Sequence, residues 1–246
     1  MGTHVLKDCA IYYDGYIFSS NINSVSYNAG ARMLDAGTFG SDTEINVAGP
    51  FTVSSSMSGL WDADSVTYNP DLKLFGDVGT DDKLVSFFPE TTTAGSRGFS
   101  FLTSRAAFNL SGAWGDLFKF DVEGASRSRL LQLEVISNST ETATDASAYE
   151  TVGAVAANQK VYAVMHVTTV TGTDPTLDVT IESTGDNNRF TFAQAVAVGA
   201  QYLVPVAGAI ADTTWRASWT IGGTDTPTFT FLVGIAILYN PGETIT

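Results

Sequence analysis

The chain predicts an all-β fold, on three observations. Apolar and polar residues alternate with period two in residues 160–171 (KVYAVMHVTTVT), 176–183 (TLDVTIES), 189–193 (RFTFA) and 215–221 (WRASWTI), runs rich in β-branched and aromatic types. Turn signals separate these runs at 172–175 (GTDP), 185–188 (GDNN) and 222–227 (GGTDTP), where Gly and Asn supply positive φ and Pro fixes φ near −65°. No long amphipathic helical period lies between them, which disfavours parallel βαβ units and favours an antiparallel sandwich or barrel.

In chain order, strands are expected at about 7–13, 22–27, 51–61, 84–88, 99–110 and 117–123. Between the second and third lies 28–50 (NAGARMLDAGTFGSDTEINVAGP), the longest non-periodic stretch of this half, with glycines at 30, 37, 40 and 49. Loops of that length inside compact domains are uncommon and usually have a function. Residues 69–77 (NPDLKLFGD) form the best helix signal: Asn69 can cap, Pro70 suits the first helical position, Leu72, Leu74 and Phe75 are apolar, and Gly76 ends it after about two turns. Residues 229–238 are strongly apolar and free of charge, so they predict a central strand or an interface rather than a bare edge.

Composition divides the chain. Residues 1–135 hold nine of the 12 basic residues and sixteen of the 26 acidic ones, whereas 136–246 are thinner in charge and richer in Thr. The intervening run 138–148 (NSTETATDASA) is polar and lacks an apolar period, as a linker would. The expected organisation is an N-terminal β domain over 1–137, a linker at 138–148 and a C-terminal β-sandwich over 149–246. With 246 residues, a real core is within reach: a chain of this size buries roughly 70–75% of its unfolded surface. No apolar run approaches the roughly 18 residues of a spanning helix, so no membrane insertion is expected. Residues 1–7 lack a basic start followed by an apolar core, which predicts synthesis without a secretory leader, in the cytoplasm.

The chemistry-bearing residues are sparse. One Cys excludes an internal disulfide, and with only His4 and His166 beside it a His/Cys metal site is not expected. His166 sits inside an alternating strand and reads as a packed histidine rather than a base, and His4 lies in the terminal segment. No Gly-x-Ser-x-Gly elbow, phosphate loop or dinucleotide fingerprint occurs, so no catalytic residue, cofactor or metal is expected and the chain does not read as an enzyme. Asp62 with Asp64 and Asp81 with Asp82 could join an oxygen-ligand site, but they fit strand-end and turn chemistry better. Trp61, Trp114, Trp215 and Trp219 could form a sugar platform; core packing is the plainer use. A formal net charge of −14 and a pI near 4.2 work against adhesion to nucleic-acid phosphate.

Within residues 11–61 the chain resembles the tail tube (major tail) proteins of long-tailed bacteriophages. The resemblance is carried in order by the turn Asp14–Gly15, by residues 20–25, and by the loop Leu34, Asp35, Ala36, Gly37, Thr38, Phe39, Gly40, Ser41, Asp42 and Thr43. It continues through Ala48, Gly49 and Pro50 to Ser58, Gly59, Leu60, Trp61 and Asp62. Gly37 stands where Thr is commoner, Pro50 where Leu is usual, and Glu44 and Ile45 where basic residues often follow. Residues 69–84 and 115–122 also look like the family, so the likeness covers about residues 5–135.

The resemblance implies a tail-tube-like β-sandwich or barrel with one short helix and a long inter-ring loop. It also implies assembly into stacked hexameric or pseudo-hexameric rings that conduct phage DNA, placing the protein in the virion tail after assembly in the bacterial host. Partners so implied are further copies of the chain, other tail proteins (tape measure, terminator, distal tail) and DNA in transient, non-specific passage. The expected interface residues are Met33, Leu34, Asp35, Thr38, Phe39, Gly40, Asp42, Thr43, Ile45, Val47, Gly49 and Pro50. The apolar ones would be stranded in solvent on a lone subunit. Two alternatives stand beside this reading. One is a capsid decoration or minor virion protein; the other is a carbohydrate- or receptor-binding module that meets host surface glycans through the C-terminal domain.

Overall fold

The alternating runs form strands. The computed structural model describes residues 9–37, 43, 45–62, 71–203 and 208–239. Fourteen strands are present among them: β1 (Ala10–Tyr13), β2 (Tyr16–Ile17), β3 (Ile22–Asp35), β4 (Asn46–Leu60), β5 (Lys83–Phe88), β6 (Arg97–Ser111), β7 (Lys119–Ser126), β8 (Leu131–Glu141), β9 (Asp145–Ala146), β10 (Glu150–Thr151), β11 (Gln159–Ser183), β12 (Asp186–Thr191), β13 (Gly199–Leu203) and β14 (Thr214–Tyr239). The fold is all-β and antiparallel. The expected helix is a single π-type turn, Asp71–Phe75, with Leu74 buried; the cap and first-turn residues Asn69 and Pro70 lie outside the described residues.

Two compact units are interleaved in sequence. One takes the described residues up to 19, with 84–100 and those from 131 onward; the other takes 20–83 and 101–130. This differs from a boundary near residue 140. Residues 138–141 close β8 and pair with β14 from Asn138↔Leu232 to Glu141↔Phe229, and Asp145–Ala146 pairs with β14 again. Small polar side chains gave this segment a linker's composition, yet its main chain is in the ladder and Thr140 and Thr230 hydroxyls meet at 2.9 Å.

The first unit is organised by β11 and β14, which pair from Gln159↔Tyr239 to Ser183↔Trp215. The turn signals at 172–175 and 222–227 do not separate strands here. They face one another across this ladder as paired irregularities, Thr173↔Thr224, with Gly172, Asp174, Gly223, Asp225 and Thr226 at positive φ. Turn residues in both strands at the same level bend the ribbon without ending it. Thr173 Oγ1 donates to Asp225 Oδ2 at 2.9 Å to secure the bend. The apolar run in β14 is central, with β11 on one side and β8 on the other, and Phe229, Phe231, Leu232, Val233 and Ile235 are fully buried. Trp215 and Trp219 belong to this core, their indole N–H groups donating to Gly153 O and Ala143 O.

The second unit is a four-stranded sheet in the order β3-β4-β7-β6, using β6 from residue 101 onward. Val53, Met57, Phe101, Phe120 and Val122 point inward and are buried. On the other face Ser54, Ser56, Asp121 and Glu123 are exposed, with Ser56↔Glu123 and Ser58↔Asp121 as direct neighbours.

Two glycines separate conformational from steric need. Asp14 and Gly15 have φ of 49° and 86° in the tight turn between β1 and β2, and a Cβ on Gly15 would lie 2.6 Å from the backbone N and O of Gly199. Gly79 has φ of 80° but open space around it. Gly15→Ala is therefore expected to cost about 3 kcal/mol or more and Gly79→Ala about 1 kcal/mol in urea unfolding. Equal losses would refute the steric account.

Candidate functional site

The stretch expected to be a long loop is mostly strand. β3 and β4 pair from Ile22↔Gly59 to Asp35↔Asn46, so the chain reaches out and back as one long hairpin. The third strand supports only its base, because β7 pairs with β4 from Leu60 back to Ser54 and no further. Val53 N–H donates to Ser126 Oγ at 2.8 Å just past that limit. Residues 29–35 and 46–52 therefore form a two-stranded ribbon beyond β7, on the order of 23 Å long at about 3.3 Å per residue. Strands therefore stand where irregular chain was expected. The arm's glycines and small residues hide the alternation that would have announced them.

Geometry explains two residues that depart from strand chemistry. The register moves between Ala31↔Phe51 and Met33↔Ala48, so Gly49 and Pro50 together oppose Arg32, a β-bulge. Pro is tolerated there because a bulge leaves an amide out of the ladder. A Cβ on Gly49 would stand 2.7 Å from Arg32 O, which makes glycine the residue that fits. At the outer end Ala36 N–H donates to Ile45 O and Gly37 N–H to Asp35 Oδ1, both at 2.8 Å, so Asp35 braces the chain as it leaves the ladder.

The arm's apolar side chains face water. Met33 is 57% exposed, Leu34 41%, Ile45 47%, Val47 51% and Phe51 43%, and Thr43 and Pro50 are exposed as well. Thr38, Phe39, Gly40 and Asp42 lie outside the described residues. A second exposed apolar set, not anticipated from the sequence, occupies the β6–β7 connection and its surroundings: Trp114 is fully exposed, with Leu117 at 68% and Phe75 at 64%. Phe75 stands edge-on to Phe108 and Phe118 edge-on to Trp61, so these rings are held in place while much of their area stays open. The signal was available in Leu110, Trp114, Leu117 and Phe118 within ten residues, but it resembles a strand start until its exposure is known.

No protein-family model matches the chain, and no curated protein sequence matches it. Among solved structures it is similar to the SPP1 Dit (gp 19.1) protein, described as a hub adsorption apparatus of phages infecting Gram-positive hosts, at TM-score 0.38 and 10% identity over 94% of this chain and 100% of that one. It is also similar to a chain of the native gene transfer agent virion, at TM-score 0.40 and 15% identity over 53% of this chain and 98% of that one. A third likeness is to the SPP1 tail tube, at TM-score 0.38 and 9% identity over 50% and 76%. At these values the superpositions assign neither family nor function to the chain.

The remaining candidates resolve into packing and turn chemistry. Trp215 and Trp219 are buried at 0% and 5% exposure, so neither is a platform for a sugar. Asp81 accepts from Ser104 Oγ at 2.5 Å and pairs with Arg127 at 2.7 Å, and Asp82 closes a turn at φ 59°. Asp64 and His4 lie outside the described residues. Among the described residues no cluster of three His, Cys, Asp or Glu side chains could hold a metal ion.

His166 is fully buried, and both ring nitrogens are used. Gly15 N–H donates to Nδ1 at 3.3 Å, which assigns the proton to Nε2; that N–H donates to Ser86 Oγ at 2.8 Å, Ser86 to Ser100 Oγ at 2.8 Å, and Ser100 to Val85 O at 3.0 Å. The network is complete only with a neutral ring. Burial pushes the imidazole down to about 3 from its usual 6.5, with Asp14 opposing the shift. In the unfolded chain the group binds a proton near 6.5, so stability is whole above that pH and falls as pH drops toward 3. His166→Phe is expected to lower stability at pH 7 by about 1–3 kcal/mol, since Gly15 N–H and Ser86 lose a partner. It should also flatten the loss between pH 6.5 and 4.5 in urea titrations. An unchanged slope there would show that other groups govern acid sensitivity.

Proposed function

We propose that the chain is a structural subunit of a long-tailed phage tail, joining copies of itself through the β3–β4 arm into stacked rings around a passage for DNA. The observation that carries this reading is the arm: apolar side chains on a narrow ribbon, exposed at 41–57%, on a protein whose net charge of −14 otherwise keeps it dispersed. A two-stranded ribbon is marginal by itself in water, so a surface that covers it contributes to its order as well as to assembly. The ordered sequence likeness to tail tube proteins over about residues 5–135 supports the same reading.

The hydroxyl and carboxylate face of the four-stranded sheet suits a passage wall. Ser54, Ser56, Asp121 and Glu123 repel phosphate and offer it no binding minimum, so DNA slides rather than sticks. Rings of six or pseudo-six subunits fit this role, with tape-measure, terminator and distal-tail proteins as neighbours. In this reading the protein resides in the virion tail.

Electron microscopy of the purified protein and of parent virions tests the assignment. Rings or tubes are expected from the full chain, and the protein is expected along the tail and absent from the head. Location on the head would favour a capsid decoration protein. Deleting residues 34–47, or substituting Phe39→Ala, is expected to leave a folded monomer by circular dichroism while reducing tube growth at least tenfold. Normal growth of the deletion would sink the arm reading.

A further inference from the structure

The sheet that carries the arm has apolar surface at both of its ends. Going up β3 and back down β4 puts Met33, Leu34, Ile45 and Val47 at one end, while β4 finishes at Leu60 opposite Lys119, beside the β6–β7 connection that holds Trp114 and Leu117. Trp61 N–H donates to Phe118 O, and Trp61 Nε1 donates to Asp71 at 3.1 Å, which brings the helical turn and Phe75 to this same far end. The two exposed sets therefore lie at opposite ends of one four-stranded sheet, separated by the 15-residue length of β4, about 50 Å at roughly 3.3 Å per residue.

We infer that the far end, formed by Leu60, Phe75, Leu110, Trp114, Leu117 and Phe118, is the seat on which the arm of the next copy of this chain docks. The inference rests on the tail-assembly reading and names the surface that the arm meets. Three observations select this occupant. Contact between like ends would cover one apolar set and leave the other bare, whereas arm-on-seat contact covers both with a single kind of interface. The area is sufficient: a fully exposed aromatic side chain offers about 150–250 Å², so the seat presents on the order of 700 Å² of apolar surface, close to the roughly 800 Å² per partner of a stable interface. The ends also differ in kind, a narrow ribbon of Met, Leu, Ile and Val against a set built around one Trp and two Phe rings held by edge-on contacts, and rigid aromatics are the usual anchors of an interface. A head-to-tail contact of this type does not close on two copies; it propagates along the strand direction, so each added copy presents a fresh arm and a fresh seat.

Cross-linking of the full chain tests the seat directly. In a Cys9→Ser background, Val47→Cys and Leu117→Cys are introduced singly and together, and the purified proteins are treated with a short bis-maleimide under assembling conditions. The double variant is expected to give a ladder of multiples, an equal mixture of the two single variants a dimer, and each single variant alone only monomer. Trp114→Ala in the otherwise unchanged chain is expected to raise the concentration needed for assembly by roughly tenfold or more while leaving the circular dichroism spectrum unaltered. Dimer from a single variant alone would mean like ends meet and would overturn the inference. Particles that assemble without any Val47 to Leu117 product, or that ignore Trp114→Ala, would overturn the seat while leaving tail assembly standing. Absence of particles from the unsubstituted chain would overturn both.

Discussion

A two-stranded antiparallel ribbon has one ladder and two faces, and water competes for all of it. Everything distinctive about this chain's second unit follows from that constraint. Where β7 stops supporting β4 at Ser54, the hairpin continues for about seven more residues per leg, most of its described residues exposed. It does so carrying Met33, Leu34, Ile45 and Val47, whose exposure would be a liability on a solitary protein. In the proposed assembly a further copy covers them, and the same side chains then supply free energy of association.

The first unit answers the opposite demand. β11 and β14 are 25 and 26 residues long, and their shared ladder is bent rather than broken by matched turn residues. Trp215, Phe229 and Phe231 fill the interior, and a buried histidine has both nitrogens satisfied by a glycine amide and a serine hydroxyl. Such a polar network raises the cost of misregistering the strands around it, because a half-satisfied version leaves buried donors without acceptors. This unit is built to be rigid within itself, whereas the second presents surface.

The sequence made some of this plain and hid the rest for physical reasons. Alternation matched one-sided burial in 177–181 and 215–219, where burial imposes the pattern, whereas in 161–168 both faces are buried and the polar His166 and Thr168 lie inside as well. It was silent over 28–35 and 46–50, where both faces of the ribbon are exposed and no core selects every second residue. Turn chemistry at 172–175 and 222–227 read correctly as local positive φ but not as a bend inside two paired strands, since pairing partners 51 residues apart leave no local trace. β8 was hidden by its own tail: Leu131, Leu133, Val135 and Ile136 are buried, but the Ser and Thr that follow have a linker's composition. The apolar residues of the arm were legible as exposed side chains from their setting, whereas the set around Trp114 required knowledge of which side chains the fold leaves outside.

The bulge at Gly49 and Pro50 has a consequence for how this arm can change over evolutionary time. Side chains in a strand alternate sides, so removing or adding one residue between the bulge and the tip turns Val47 to the opposite face of the ribbon. Length variants that preserve the proposed contact should accordingly arise in steps of two on each leg. A single-residue change would need a second bulge to restore parity. In this way one irregular pair of residues sets the arithmetic by which relatives of the arm can lengthen or shorten.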